Sequence, residues 1–396
     1  MMQHKLSLLD LCVVAGEPSG DLIGALSLSA LTQQLGREIQ VAGVAGQHLQ
    51  DAGVTAWYDM QQLAVRGYVE VLRQLPRLLW LRHQLTQRII ATRPKVFMGI
   101  DAPDFNLSME VKLKQNGIRT LHLVSPSIWA WRKERMTQIK QAVSHMLCIF
   151  PFEPAIYAEH GIPATFVGHP IADKIPLTVD VQHARDALNL VKRLSPTSPL
   201  TSSPIVAFLP GSRNSEIQWI APAMLGAIGQ LQRQHVRLHS LIPVVHESQR
   251  VLLVQQMQVF GLDMTRITLA VGQSHTMMAA ADVIVVASGT ATLEAALYKK
   301  PMIITYKMPA LSYWWMKRQA YLPWVGLPNI LCQRTVVPEL LQHDCTAVQL
   351  AQAIEQALAN LGSTAHHDLI AQFHGLHQQL RCNTPQQVAH IVSEYL

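Results

Sequence analysis

Pro210-Gly211-Ser212-Arg213 and Ser288-Gly289-Thr290-Ala291-Thr292-Leu293-Glu294 each follow a short apolar run and open a helical pattern. Turns of this kind leave backbone N–H groups at a helix N-terminus, where phosphate oxygens are well held. Gly211 permits close backbone approach, Ser212 is a capping residue, and Arg213 presents a guanidinium fork. Ser288, Thr290 and Thr292 add hydroxyls around Gly289. Glu294 falls where a carboxylate accepts from ribose hydroxyls, as an acid does in dinucleotide folds. Two such turns in one half of the chain point to a nucleotide diphosphate. Ordinary capped helices with a solvated arginine and a dipole-facing acid produce the same residues.

The first half carries a third junction, Gly16-Glu17-Pro18-Ser19-Gly20-Asp21, and a carboxylate, Asp101, at the end of the run Val96–Ile100. A carboxylate at a strand end is well placed as a general base, and Asp104 follows closely. Both are also common turn caps. His122, Ser125 and Ser127 precede Trp129, Trp131, Arg132 and Lys133, a segment that fits either substrate contact or core. From Leu63 to Ile90 an amphipathic helix is expected. It carries Tyr68, Leu72, Leu75 and Leu79 on one stripe and Arg66, Arg73, Arg77 and Arg88 on another, with Trp80 beside them. Such a helix binds an anionic membrane surface, or else turns its apolar stripe to the core. A second aromatic and basic cluster, Tyr313–Arg318 with Trp324, adds weight to the membrane reading.

The elements that must position these groups alternate β-rich runs with helical patterns, the signature of parallel α/β architecture. Strands are expected at Leu8–Ala15, Gln40–Val44, Val96–Ile100, Arg119–Val124, Met146–Ile149 and Thr165–Val167. In the second half they are expected at Ile205–Leu209, Leu238–Val245, Arg266–Leu269, Val283–Ala287 and Met302–Thr305. The chain's 396 residues exceed one ordinary core. Two Rossmann-like domains are expected, at 1–178 and 179–365, with 366–396 joined to the first. The Ser/Thr/Pro-rich stretch Leu194–Pro204 reads as a loop at their boundary. Ligands of doubly wound sheets sit at the carboxyl ends of strands, so two such domains face their turns across a cleft. No G-x-G-x-x-G follows the first strand, which disfavours a plain dinucleotide dehydrogenase.

With 49% hydrophobic and 15% charged residues the chain is globular rather than disordered. Its five cysteines are widely spaced without a C-x-x-C, which fits a reduced, cytoplasmic compartment and neither a zinc site nor a disulfide framework. The net charge of +6 fits nucleic acid, anionic lipid or a phosphorylated substrate. No apolar run is long enough to cross a bilayer. The apolar start, interrupted by Asp10, reads as the beginning of a strand–turn–helix unit rather than a leader.

Taken in order, these segments resemble the lipid-A-disaccharide synthases. The resemblance covers Gly16–Asp21, Gly99–Asn106, Ser125–Arg132, Phe166–Pro170, Leu209–Arg213, Ala287–Glu294 and Gly326–Asn329. It implies a GT-B glycosyltransferase that joins UDP-2,3-diacylglucosamine to 2,3-diacylglucosamine 1-phosphate. The bond formed is β(1→6), with inversion and release of UDP, at the cytoplasmic face of the inner membrane of Gram-negative bacteria. It further implies that Arg213, Glu294 and Asn329 hold the UDP donor, that Glu17 and Ser19 line the cleft, and that Asp101 is the base, with Asp104 and Glu17 as the other carboxylates in reach. No cofactor and no metal are implied, and a homodimer is compatible. The competing readings are another UDP-sugar GT-B enzyme, a peptidoglycan-precursor transferase or a 2-epimerase, and a basic nucleic-acid-binding protein, although no recognition motif for nucleic acid is present. The 194–204 stretch is longer than the family's usual loop at that point.

Overall fold

The structure, a computed structural model, describes residues 9–63, 68–130, 133–190, 203–235 and 237–396, with backbone only at 68–73 and 133. It divides into two compact units: the chain up to Lys174 together with Gln379–Leu396, and Ile175–Gln378.

The first unit is built on β1 (Leu11–Ala15), β2 (Val41–Ala45), β3 (Thr55–Asp59), β4 (Val96–Ile100), β5 (Arg119–Leu123), β6 (His145–Cys148) and β7 (Ala164–Phe166). They form one parallel sheet in the order β3-β2-β1-β4-β5-β6-β7. The second unit has β8 (Ile205–Leu209), β9 (His239–Val244), β10 (Ile267–Val271), β11 (Val283–Ala287), β12 (Met302–Tyr306) and β13 (Glu339–Leu341), parallel in the order β10-β9-β8-β11-β12-β13. The inner strands β1, β2, β4, β8, β9 and β11 are buried along their whole length. A strand covered by helices on both faces must be apolar at every position, which is why these runs stood out in the sequence. β3 and β13 lie at sheet edges, half exposed, and their mixed sequences Thr-Ala-Trp-Tyr-Asp and Glu-Leu-Leu gave no such signal.

The return crossing falls at Gln379, later than the expected residue 366. The Thr364–Leu380 helix belongs mostly to the second unit, and His377 Nδ1 accepts from Lys299 Nζ at 2.6 Å. The last helix, Thr384–Tyr395, then completes the first unit. Its Val388, Ala389, Ile391 and Val392 join the core cluster of β1 and β4. The Asp173 carboxylate accepts from the amides of Asn383 and Thr384, and His169 N–H donates to the Leu380 carbonyl at 2.9 Å.

His169 is buried at this junction, and its Nδ1 accepts from the Ile171 amide at 3.2 Å. Burial pushes its imidazole down to about 4, against the opposing pull of Asp173. An unfolded chain takes up this proton near pH 6.5, whereas the folded one does so only near pH 4. Stability is therefore expected to fall by about 3 kcal/mol as pH drops through that window. Denaturant titration of His169→Asn, which keeps an acceptor without the titration, is expected to flatten the slope. An unchanged slope would assign the acid sensitivity elsewhere.

Candidate functional site

In the second sheet the chain winds outward from β8 in one direction and from β11 in the other, so their adjacent carboxyl ends form a topological switch point. A cavity of about 450 Å³ opens there. Gly211, Ser212, Arg213 and Glu216 line one side, and Ser288, Gly289, Thr290, Ala291 and Glu294 the other. The Thr290–Leu297 helix begins at this wall, with Gly289 at its N-cap. Gly289 takes a φ of +150°, and a Cβ built on it would meet nothing within 4 Å, so the turn stays open to a ligand. The volume lies in the range of small-molecule sites.

Some of the expected donors are already engaged. The Glu216 carboxylate accepts from the Ser212 amide at 3.0 Å and the Arg213 amide at 3.2 Å, and pairs with Arg213 Nη1 at 2.8 Å. This is the N3 carboxylate of a capped helix, Asn214–Gln234, satisfying N-terminal amides that would otherwise lack partners. The guanidinium of Arg213 remains largely exposed at the cavity wall. Gln249 locks the same turn: its Nε2 donates to the Ser212 carbonyl at 2.8 Å, while its Oε1 accepts from the Val245 amide at 3.0 Å. Ser288 Oγ donates to the Val325 carbonyl at 2.9 Å. Glu294 lies 3.9 Å from His275 Nδ1.

Asn329 lies apart from the other expected donor residues. It is fully buried and is not among the residues that line the cavity. Its Oδ1 accepts from the amides of Val336 and Val337, and its Nδ2 donates to the Val337 carbonyl and to Glu339 Oε1. Glu339 in turn accepts from the amides of Val325 and Gly326. Asn329 therefore braces the loop against which Ser288 packs; its polar atoms are spent on protein.

In the first unit the exits of β1 and β4 border a larger cavity, about 950 Å³. Met60, Leu63, Leu75, Leu78, Leu79 and Phe105 make it apolar, and Glu17, Gln61, Arg82 and Asp104 supply polar groups. The structure thus brings Leu75 and Leu79, which the sequence placed on a membrane stripe, beside Glu17 and Asp104. They project from the Tyr68–Thr92 helix, while Trp80 on the same helix points to solvent. The side chain of Leu72 and residues Arg66, Trp131 and Arg132 lie outside the described residues, as does the 194–204 stretch up to residue 202. Arg88, expected on a solvent-facing basic stripe, stacks its guanidinium over Trp57 at 4.4 Å.

Asp101 and Ala102, next to this cavity, both adopt left-handed backbone, with φ of +54° and +45°. Asp101 Oδ1 accepts from the Ala102 amide at 2.8 Å. Asp104 is exposed, pairs with Arg135, and accepts at its carbonyl from Arg82 Nη1 at 3.3 Å. Ser19 is exposed on the first turn of the Pro18–Leu35 helix but does not line the cavity. Asp21 of the same motif is buried and caps the next turn, accepting from the amides of Gly46, His48 and Leu49.

His122 and Ser125 are not surface groups. His122 is fully buried, with Nδ1 2.7 Å from Glu110 Oε1. Ser125 Oγ lies 2.8 Å from the Tyr157 hydroxyl in a buried cluster. There Glu153 accepts from Trp129 Nε1 and from the Phe150 amide, and burial pushes its carboxyl up to about 7. Trp129 packs edge-on against Phe150 and Phe152. Sequence reading passed over Glu216, Gln249, Glu339, Glu110 and Arg82. Of these only Glu216 carried a local signal, an acid three residues into a helix; the others depend on contacts distant in sequence.

A family model for lipid-A-disaccharide synthetase matches residues 11–392. The lipid-A-disaccharide synthase of Thiobacillus denitrificans is 48% identical over 385 residues, covering 97% of this chain and 99% of that protein. Among solved structures, a glycosyltransferase from Rickettsia africae superposes with a TM-score of 0.60 at 13% identity over 98% of both chains. MurG of Acinetobacter baumannii gives 0.56 at 16% identity over 98% of this chain and 99% of its own. At those identities the structural likeness establishes the GT-B fold; the sequence match nearly end to end separates this chain from the other UDP-sugar enzymes of that fold and from a nucleic-acid-binding protein. The chain belongs to the lipid-A-disaccharide synthetase family, glycosyltransferases of lipid A biosynthesis.

Proposed function

We propose that the chain transfers the diacylglucosaminyl group of UDP-2,3-diacylglucosamine to the 6-hydroxyl of 2,3-diacylglucosamine 1-phosphate, giving the β(1→6) disaccharide 1-phosphate and UDP. The observation that carries this reading is the 950 Å³ cavity of the first unit: an apolar wall of leucines, Met60 and Phe105, with only a few polar groups, beside the β4 exit that bears Asp101. A sugar without acyl chains has no use for such a wall; an acylated sugar buries its chain there and keeps its head at Glu17, Gln61 and Arg82.

Asp101 takes the proton of the 6-hydroxyl as its oxygen attacks the anomeric carbon. The bond from that carbon to the diphosphate oxygen breaks, and UDP departs with the added charge. One displacement inverts the centre, so a single base suffices. The cavity of the second unit receives the UDP. Arg213 and the N-terminus of the Thr290–Leu297 helix lie where the diphosphate's charge grows, and Glu294 accepts from ribose. The Glu216 carboxylate already holds the Ser212 and Arg213 amides, so the diphosphate either shares Arg213 with it or displaces it.

Association with the inner-membrane surface belongs to the same reading, because both substrates are lipids. No helix among the described residues is long and apolar enough to cross a membrane. The Ala310–Gln319 helix has no buried residue, and Leu311, Trp314 and Trp315 are exposed. Arg318 stacks over Trp314 at 3.7 Å. Aromatic and leucine side chains with adjoining cations are the chemistry of an anionic interface. Exposed Trp80 on the 68–92 helix adds a contact in the first unit.

Incubating both acylated sugars with the protein and detecting the disaccharide 1-phosphate and UDP by mass tests the reaction itself. Asp101→Asn is expected to lower turnover by about 10²–10⁴-fold with UDP affinity retained. Near-normal turnover moves the base to Asp104 or Glu17. In calorimetry, Arg213→Ala is expected to weaken UDP about tenfold or more. Asn329→Ala is expected instead to cost roughly 1–3 kcal/mol of stability at unchanged UDP affinity; the reverse pattern would return Asn329 to the ligand. Replacing Leu311, Trp314 and Trp315 together by serine is expected to cut binding to phosphatidylglycerol vesicles about tenfold or more. Unchanged sedimentation with vesicles would remove this helix from the interface.

A further inference from the structure

Beneath Asp101 lies a polar cluster that the reaction as derived does not use. The Pro103–Gln115 helix runs back over β4 and β5, and its residues 106 and 110, one turn apart, face the same strands. Asn106 Nδ2 donates to the Asp101 carbonyl at 2.8 Å and to the Val14 carbonyl of β1 at 3.4 Å. Glu110 Oε1 lies 2.7 Å from His122 Nδ1 on β5. Gly99, the register partner of His122 on β4, makes room for this: a Cβ there would lie 2.2 Å from Glu110 Oε1. Asn106, Glu110 and His122 are all fully buried.

Two features of this cluster are costly. Asn106 Oδ1, Glu110 Oε2 and His122 Nε2 are buried without a hydrogen-bond partner among the described residues. Apolar residues of the same size generally stabilise a core more than a buried ion pair does. Directly above, Asp101, Ala102 and Val124 all hold left-handed φ values of +54°, +45° and +75° without being glycine. Backbone of this kind is costly for a residue with a side chain and persists only where its surroundings enforce it. The charged groups facing His122 are Glu110 from the helix and Asp101 from the β4 exit; the neighbouring strands offer Gly99 and Met146, neither of which titrates. Burial pushes the imidazole down, but Glu110, with a smaller contribution from Asp101, outweighs it and holds His122 above its ordinary range.

We propose that Asn106, Glu110 and His122 are positioning residues for Asp101. Asn106 fixes the strained backbone through the Asp101 carbonyl. The contact of Glu110 with His122 ties the same helix to β5 and so holds Asn106 at the β4 exit. The inference rests on Asp101 being the base, and the experiment separates the two.

Turnover of the 396-residue chain is followed with both acylated sugars saturating, alongside UDP affinity by calorimetry. Asn106→Ala is expected to lower kcat about tenfold or more with UDP affinity unchanged, because the carboxylate loses its aim rather than the donor its site. Glu110→Gln and His122→Gln loosen the tie between this helix and β5 and are expected to lower kcat in the same way, again with UDP affinity unchanged. A merely structural role would lower thermal stability and leave the kcat of the folded protein in place. If Asp101→Asn is inactive but Asn106→Ala or Glu110→Gln keeps its kcat, the positioning role is overturned while the base stands. If Asp101→Asn is active, the base reading itself falls, and this inference with it.

Discussion

Each parallel sheet in this chain delivers its strand exits and helix starts to one edge, and the backbone amides exposed there must find acceptors. Several carboxylates meet that demand. Asp21 takes the amides of Gly46, His48 and Leu49, Glu216 those of Ser212 and Arg213, and Glu339 those of Val325 and Gly326. Buried Glu153 takes the amide of Phe150. An acid at a strand exit is thus first a partner for backbone, and only those not consumed in this way remain for chemistry. The Asp101 carboxylate accepts from the amide of its neighbour Ala102 at 2.8 Å.

The two cavities differ in the polarity of their walls. The smaller one, at the β8–β11 switch point, is walled by turns, hydroxyls, a guanidinium and a helix start, which suits charge. The larger one, beside β1 and β4, is walled by leucines, a methionine and a phenylalanine, which suits hydrocarbon. Leu75 and Leu79 line this second cavity, and both stay partly exposed.

Strain at the β4 exit and the buried Glu110–His122 pair belong to one arrangement. Folding free energy is given up twice, in left-handed non-glycine backbone and in desolvated charge, at the same few residues. The second unit has no counterpart of this combination among its described residues at β8 or β11.

The amino-acid sequence by itself determined the inner strands, the parallel α/β class, the turns at Gly211 and Gly289 and the family. These signals are local: continuous apolar runs, glycines at strand exits, and motif spacing. It did not reveal the edge strands β3 and β13, whose half-exposed residues carry no continuous apolar pattern. Nor did it distinguish Asn329, His122 and Ser125, which bind protein, from Arg213 and Glu294, which line a cavity. A polar side chain looks the same in sequence whether its partner is a ligand or an amide brought near by folding. Only the tertiary structure decided that Asn329 meets Val336, Val337 and Glu339, that His122 meets Glu110 across two elements, and that Leu75 joins Glu17 around one hollow. Those pairings are set by how helices lie across strands, and no short-range pattern encodes that.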